Sequence, residues 1–284
     1  MRNNQDRLGA QPGGETPPVS QPTQQTEQPL QFVTPTEFVE LPSKGAFYPQ
    51  GHPLHNVDTI EIRHMTAKDE DILTSRALLQ KGIAIDRFLQ NVIVDKNVNI
   101  ADLLVGDKNA IIIASRITGY GSNYDATIGC PSCQKSVDFG FDLNECEVIP
   151  HNVYETQGVR KTPNNTFIIH VDKLDMDVEV RLLTSRDEVY LLQLSEKRRK
   201  KKLPESNLTE QLRRIIVSVN GSTDSQYINA FIEHVPAMDS RKLRTTYQKI
   251  VPNIDMNLNF ICSECGHDGE VNVPFGANFF WPQQ

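Results

Sequence analysis

Ile60-Glu61-Ile62-Arg63-His64-Met65-Thr66-Ala67-Lys68-Asp69-Glu70-Asp71-Ile72-Leu73 and Val178-Glu179-Val180-Arg181-Leu182-Leu183-Thr184-Ser185-Arg186-Asp187-Glu188-Val189-Tyr190-Leu191 are two versions of one pattern, and their agreement decides the architecture. Glu, Arg, Thr, Asp, Glu and Leu coincide at a constant offset of 118 positions. In each copy the period-2 alternation of a strand gives way to Thr-x-x-Asp-Glu. The Thr side chain can cap a helix there, and the acids favour the positive end of the helix dipole. The expectation is a strand running into a helix, twice.

Amphipathic helical material follows in both copies. The spacing predicts helices over Asp69–Gln80 (ended by Gly82), Asp86–Asp95 and Asp107–Ile117 in the first. In the second it predicts Asp187–Lys200, Leu208–Val219, Gln226–Glu233 and Asp239–Ile250. Apolar residues recur at three and four, as at Phe88, Val92 and Ile93, or Leu212, Ile215, Ile216 and Val219. The last helices start at Asp107 and Asp239, now 132 positions apart, and Cys130 and Cys262 keep that offset. The growth from 118 to 132 requires 14 extra residues in the second copy, for which Lys197–Lys202 and Leu203-Pro204-Glu205-Ser206-Asn207 are the candidates. The expected fold is therefore α+β, built of two diverged repeats over residues 34–150 and 151–284. Each has a short β lead-in, a helical bundle and a Cys-x-x-Cys β-hairpin knuckle. Residues 1–33, with Pro12, Pro17, Pro18, Pro22 and Pro29 among Gln, Gly and Thr, read as a disordered arm, either a passive tail or a tether that orders on a partner.

Four of the five cysteines form two pairs, Cys130/Cys133 and Cys262/Cys265. The odd number and short spacings argue against a disulfide framework. Each pair follows an alternating strand and precedes another, so each supplies two thiolates at a tight turn. A closed structural zinc site wants four ligands, so the expectation is one zinc ion shared by both pairs. More than a hundred residues separate the pairs, far beyond a zinc ribbon, so this pairing rests on the duplication. Two sets of ordinary thiols are the bland alternative. A redox role lacks a surrounding βαβ pattern. Four thiolates would leave no open position for hydrolysis. His267 is a possible substitute ligand but reads as a turn histidine, and Cys146 reads as a spare thiol.

Composition narrows the function classes. The 284 residues carry a formal charge of −7, which implies no general affinity for nucleic acid. No stretch reaches the roughly 18–20 apolar residues of a membrane span, and the N-terminus lacks a signal-peptide core, so a soluble cytosolic protein is expected. No phosphate loop, His-Glu-x-x-His or Gly-x-Ser-x-Gly occurs, and nothing assembles an active site. The run Lys197–Lys202 fits a solvated helix end, or a nucleic-acid, membrane or acidic-protein contact; an aromatic platform for single strands is missing. Phe275, Phe279, Phe280 and Trp281 crowd the C-terminus, either packing back on the zinc end or forming a partner-binding surface.

The ordered set Leu41-Pro42-Ser43-Lys44-Gly45, Phe47-Tyr48-Pro49, Thr66 to Glu70, Gly106-Asp107-Lys108-Asn109, Arg116-Ile117, Tyr120-Gly121, the two Cys-x-x-Cys units, Val273-Pro274-Phe275 and Phe279-Phe280-Trp281-Pro282 resembles the baseplate hub assembly proteins of contractile-tailed, T-even-like bacteriophages. The resemblance covers Phe38 to Pro282. It implies a non-enzymatic part in building the baseplate hub, in the host cytoplasm or retained in the virion tail. Other hub proteins would be its partners, with a homo-oligomer also open. The competing readings are a zinc-dependent nucleic-acid-binding protein using residues 197–202 and a thiol-redox enzyme.

Overall fold

The computed structural model describes residues 33–204, 206–274 and 277–280, the side chains of 277 and 278 excepted. The expected arm lies outside these residues, Val33 apart.

The chain starts with a hairpin. β1 (Thr36–Glu40) pairs antiparallel with β2 (Thr59–Arg63), Val39 opposite Ile60. Residues 41–58 connect them as a series of turns that buries Leu41, Phe47, Tyr48 and Leu54. Gly45 sits at φ +69 with the Leu54 carbonyl and the Val57 amide against it, so no side chain fits there.

Thr66 then caps α1 (Ala67–Thr74) in a capping box with Asp69. The Thr66 amide and hydroxyl both donate to Asp69 Oδ2 at 2.8 Å. The buried Asp69 also receives both guanidinium nitrogens of Arg63 from the strand, at 2.7 and 2.9 Å. Burial alone would raise its pKa, but the hydrogen bonds from Arg63, Thr66 and Asn91 outweigh that and hold it down at about 2. The expected helix over 69–80 is broken at Ser75, which is extended, and resumes as α2 (Arg76–Gln80). Thr74 turns its hydroxyl back onto the Glu70 and Asp71 carbonyls, a local bond that competes with helix continuation. After α3 (Ala84–Val92), Ile93 leaves the helix to bridge Ile62, and the Val94 amide donates to the Glu61 carbonyl.

The central helix is α4 (Val105–Tyr120), with Ile111, Ile112 and Ile113 buried. Asp107 in its first turn is buried and accepts from the Ser43 amide (2.9 Å), the Ser43 hydroxyl (2.6 Å) and Tyr48 Oη (2.7 Å). This ties α4 to the turns of residues 41–58. A hairpin follows, β3 (Asn123–Gly129) with β4 (Ser136–Asp142), then β5 (Glu147–Ile149) and α5 (Val153–Thr156).

A four-stranded sheet opens the second half. β6 (Arg160–Lys161), β7 (Phe167–Val171), β8 (Met176–Val180) and β9 (Ile216–Val219) form an antiparallel sheet in that order. α6 (Ser185–Lys200) starts in a capping box of Thr184 and Asp187, and Arg181 holds Asp187 with two bonds of 2.8 Å. α7 (Asn207–Ile215) ends where β9 begins, so the helix expected over 208–219 stops four residues early. Its β-branched Ile216 and Val217, with Val219 two residues on, run alongside β8 instead. α8 (Ser225–His234) and α9 (Ala237–Ile250) follow, and buried Asp239 accepts the Lys173 and Leu174 amides at 3.0 Å, as Asp107 accepts Ser43. β10 (Asn253–Asp255) pairs with β5, and β11 (Asn257–Ile261) with β12 (Asp268–Asn272) closes a second hairpin.

Early and late segments also meet at α4. Lys108 reaches Ser185 Oγ (2.8 Å), Asp86 (2.9 Å) and Glu188 (3.3 Å), linking α4 to α3 and α6. Gly106 lies so close to the Pro252 carbonyl that an added Cβ would overlap it.

Two outcomes follow. Gly106→Ala should destabilise the fold by about 1–3 kcal/mol, read from urea midpoints, because the obstacle is backbone. Gly119→Ala should cost less, since only the flexible Met65 side chain faces it. Asp69 has a folded pKa below its unfolded value, so its stabilisation is present above the ordinary carboxylate range and is lost as pH falls from about 4 towards 2. Asp69→Asn should therefore cost roughly 1–3 kcal/mol at pH 7, and the gap from the unsubstituted protein should close over that acid window.

Candidate metal centre

The two hairpin turns have the same hydrogen-bond pattern. Between β3 and β4, the Cys130 amide donates to the Lys135 carbonyl and the Gln134 amide to the Cys130 carbonyl, both at 2.9 Å. Between β11 and β12, the Cys262 amide donates to the His267 carbonyl and the Gly266 amide to the Cys262 carbonyl, again at 2.9 Å. The residue after the second cysteine is left-handed in both turns, Gln134 at φ 59 and Gly266 at φ 69. Each turn thereby presents its two thiols on one side of the hairpin end.

The four sulfurs, Cys130, Cys133, Cys262 and Cys265, lie within 4.8 Å of one another. The first cysteine of each pair meets the second of the other, Cys130 to Cys265 at 3.8 Å and Cys133 to Cys262 at 3.9 Å. A tetrahedron of sulfurs about 2.3 Å from a central ion has edges of about 3.8 Å, so the cluster has the size and donor set that a four-thiolate metal site needs. Cys130 and Cys262 are buried, Cys133 is half-buried and Cys265 exposed, so the cluster is open to solvent on one side only. The Cys133 amide holds the Cys130 thiol down, to about 6, against the effect of burial. At Cys265 the His267 amide favours the thiolate, but burial and the other three sulfurs prevail and push the thiol up to about 11.

Other contacts across the two hairpins support the cluster. Lys135 pairs with Glu264 at 2.6 Å, and the Phe139 and Phe260 rings meet edge-on at 5.1 Å. His267 serves its turn through its carbonyl and is not among the clustered ligands. Cys146 is half-buried and apart from the four, and burial together with Asp255, Asp142 and Glu145 pushes its thiol up to about 11.

The C-terminal aromatics need a correction. Phe279 and Phe280, expected as candidate partner-binding residues, are each 1% exposed. Phe280 packs on Phe88 of α3 and Phe279 on Tyr124 of β3, both at 5.1 Å, because these rings fill the chain's own core. Phe275 and Trp281 lie outside the described residues. The segment is held by Arg116, which sequence reasoning did not single out as a site residue. Buried in α4, it donates Nε to the Phe279 carbonyl (2.9 Å), Nη1 to Gly121 (2.7 Å) and Nη2 to Asn123 (3.0 Å). A guanidinium amid the apolar positions of α4 was the available signal. The basic run forms the last turn of α6, Lys197 to Lys200, where cations complement the helix dipole.

Taken together, these features define an α+β protein in which two hairpin ends meet in a four-cysteine cluster that could hold a metal ion. The family model described as T4 bacteriophage base plate protein matches residues 34–281, and the chain belongs to that family. It is thus related to structural proteins of the phage tail, whose partners are other baseplate proteins. No curated protein and no solved structure matches it. Among the described residues no helix is long and apolar enough to cross a membrane.

If the C-terminal rings serve the core, Phe280→Ala should lower stability by about 3–5 kcal/mol in chemical denaturation. An unchanged unfolding midpoint would instead return Phe280 to the role of a surface contact.

Proposed function

We propose that this chain is a non-enzymatic structural or assembly component of the phage baseplate hub. It acts by protein–protein docking on a scaffold whose two diverged repeats, residues 34–150 and 151–284, are braced by one zinc ion shared among Cys130, Cys133, Cys262 and Cys265. The observation that carries this reading is the convergence of the four sulfurs from two hairpins at the spacing a tetrahedral thiolate site requires. Bound there, the ion supplies a cross-link and leaves no free coordination position.

Several parallels support the duplication. Arg63 holds Asp69 as Arg181 holds Asp187, and Asp107 and Asp239 each anchor the first turn of the helix that leads to a cysteine hairpin. Ile93 and Ile216 both leave a helix to pair with the preceding hairpin, 123 positions apart. The 14 extra residues are then divided between the longer α6 and the segment holding α8, rather than gathered in the loop at 197–207. A structural zinc contributes on the order of 10–16 kcal/mol, which rivals the stability of a whole domain. The brace keeps a docking surface in one shape during assembly in the host cytoplasm and in the tail.

Purified protein should contain one zinc per chain, and either Cys130→Ser or Cys262→Ser alone should remove it, while Cys146→Ser should not. Two zinc ions lost independently would sink the shared site. Chelator-treated protein should also fail to co-sediment with the other purified baseplate proteins, and unaltered co-sedimentation would separate docking from the brace.

A further inference from the structure

α6 is twice the length of α1, 16 residues against 8; its added turns face α7 on one side, where Arg214 stacks on Tyr190 at 3.6 Å, and bury no side chain fully. Its buried residues are Ser185 and Asp187, both in the first turn. That end is fixed: the Ser185 amide donates to the Leu103 carbonyl at 2.8 Å and Lys108 reaches Ser185 Oγ. The other end carries four consecutive cations and flanks an open groove of about 630 Å³ between α6 and the stretch joining α2 to α3. Lys81, Lys197, Lys200 and Lys201 rim it, Ile83 gives it an apolar wall, and Glu196 stands among the lysines. Leu192, half exposed, lies beside Gly82 at the same place.

We infer that this groove is a docking site for an acidic, amphipathic segment of a partner protein, an inference that rests on the docking reading above. Charge complementarity names the occupant. The six residues Lys197–Lys202 carry +6, so the rest of the chain carries −13 against a total of −7. The basic helix end is thus a positive patch on a chain whose other residues are net negative. A long polyanion would meet that surrounding negative field, whereas a short acidic segment meets only the patch. The groove has no aromatic ring on which bases could stack, and Glu196 opposes phosphate within it. Its apolar wall suits the leucine-type face of a helix, which nucleic acid does not offer.

The test uses the full-length zinc-loaded chain and fluorescence anisotropy. The probe is a labelled peptide of repeated Glu-Leu-Leu-Glu units, compared with an all-glutamate peptide of equal length, single-stranded DNA of matched charge and phosphatidylserine vesicles. The Glu-Leu peptide should bind more tightly than the other three. The K197Q/K200Q/K201Q variant should bind it roughly tenfold more weakly. Undiminished binding by the variant, or tighter binding of DNA or vesicles, overturns the inference, as does no binding of the Glu-Leu peptide at low salt. Self-association abolished in the variant would make a second copy the occupant and would overturn it as well. Zinc content and circular dichroism of the variant should equal those of the unsubstituted protein, so failure of the groove is told apart from failure of the braced scaffold.

Discussion

Four thiols from two hairpins more than a hundred residues apart lie within 4.8 Å of one another, where two turns with the same hydrogen-bond pattern meet. That arrangement reaches back through the chain. Each hairpin follows a helix in the chain, α4 before β3–β4 and α9 before β11–β12, and each helix is fixed at its first turn. The buried carboxylates do this. Asp107 is bound by Ser43 and Tyr48, and Asp239 by the amides of Lys173 and Leu174. Burial raises the Asp107 pKa, and its three donors oppose that rise, so the site tolerates the carboxylate only with its partners in place. The cysteine cluster is thereby connected to both β lead-ins.

The contacts that join the two ends of the sequence are polar and specific. Lys108 meets Ser185, Asp86 and Glu188, Asn109 meets Asn253 at 3.1 Å, and β5 pairs with β10. Gly106 allows the Pro252 backbone to close on α4. Arg116 draws the C-terminal segment over β3 and α3, so Phe279 and Phe280 complete the core. The cationic end of α6 carries Lys197, Arg199 and Lys200 exposed, and the docking surface is proposed there.

Local chemistry was legible in the sequence, and contact at a distance mostly was not. Thr66 with Asp69 and Thr184 with Asp187 are three residues apart, so their caps could be read directly. The cysteine hairpins were legible from strand alternation around each pair. Their convergence could be expected only because the pattern repeats, since no spacing rule covers so long a separation. The helix broke at the extended Ser75, just after Thr74 turns its hydroxyl back onto the Glu70 and Asp71 carbonyls, which periodicity does not register. Ile216 fitted the helical spacing of Leu212 and Ile215, yet its β-branched neighbours gained more beside β8. Arg116 was quoted in a motif without a role, because its three carbonyl acceptors come together only in the folded chain. Whether the aromatic terminus packed back or formed a docking surface was left open for the same reason: Phe88 and Tyr124, which meet Phe280 and Phe279, are distant in sequence.

A phage baseplate family, a four-thiol cluster and a fold tied together through buried polar anchors support the proposal of a part that keeps its shape while other proteins assemble on it. The central claim is that one ion bridges the two hairpins. X-ray absorption at the zinc edge of the purified chain tests it most directly. The account expects four sulfur neighbours at about 2.3 Å and no nitrogen or oxygen. Two sulfurs completed by lighter atoms would mean that each hairpin binds alone, and would contradict it.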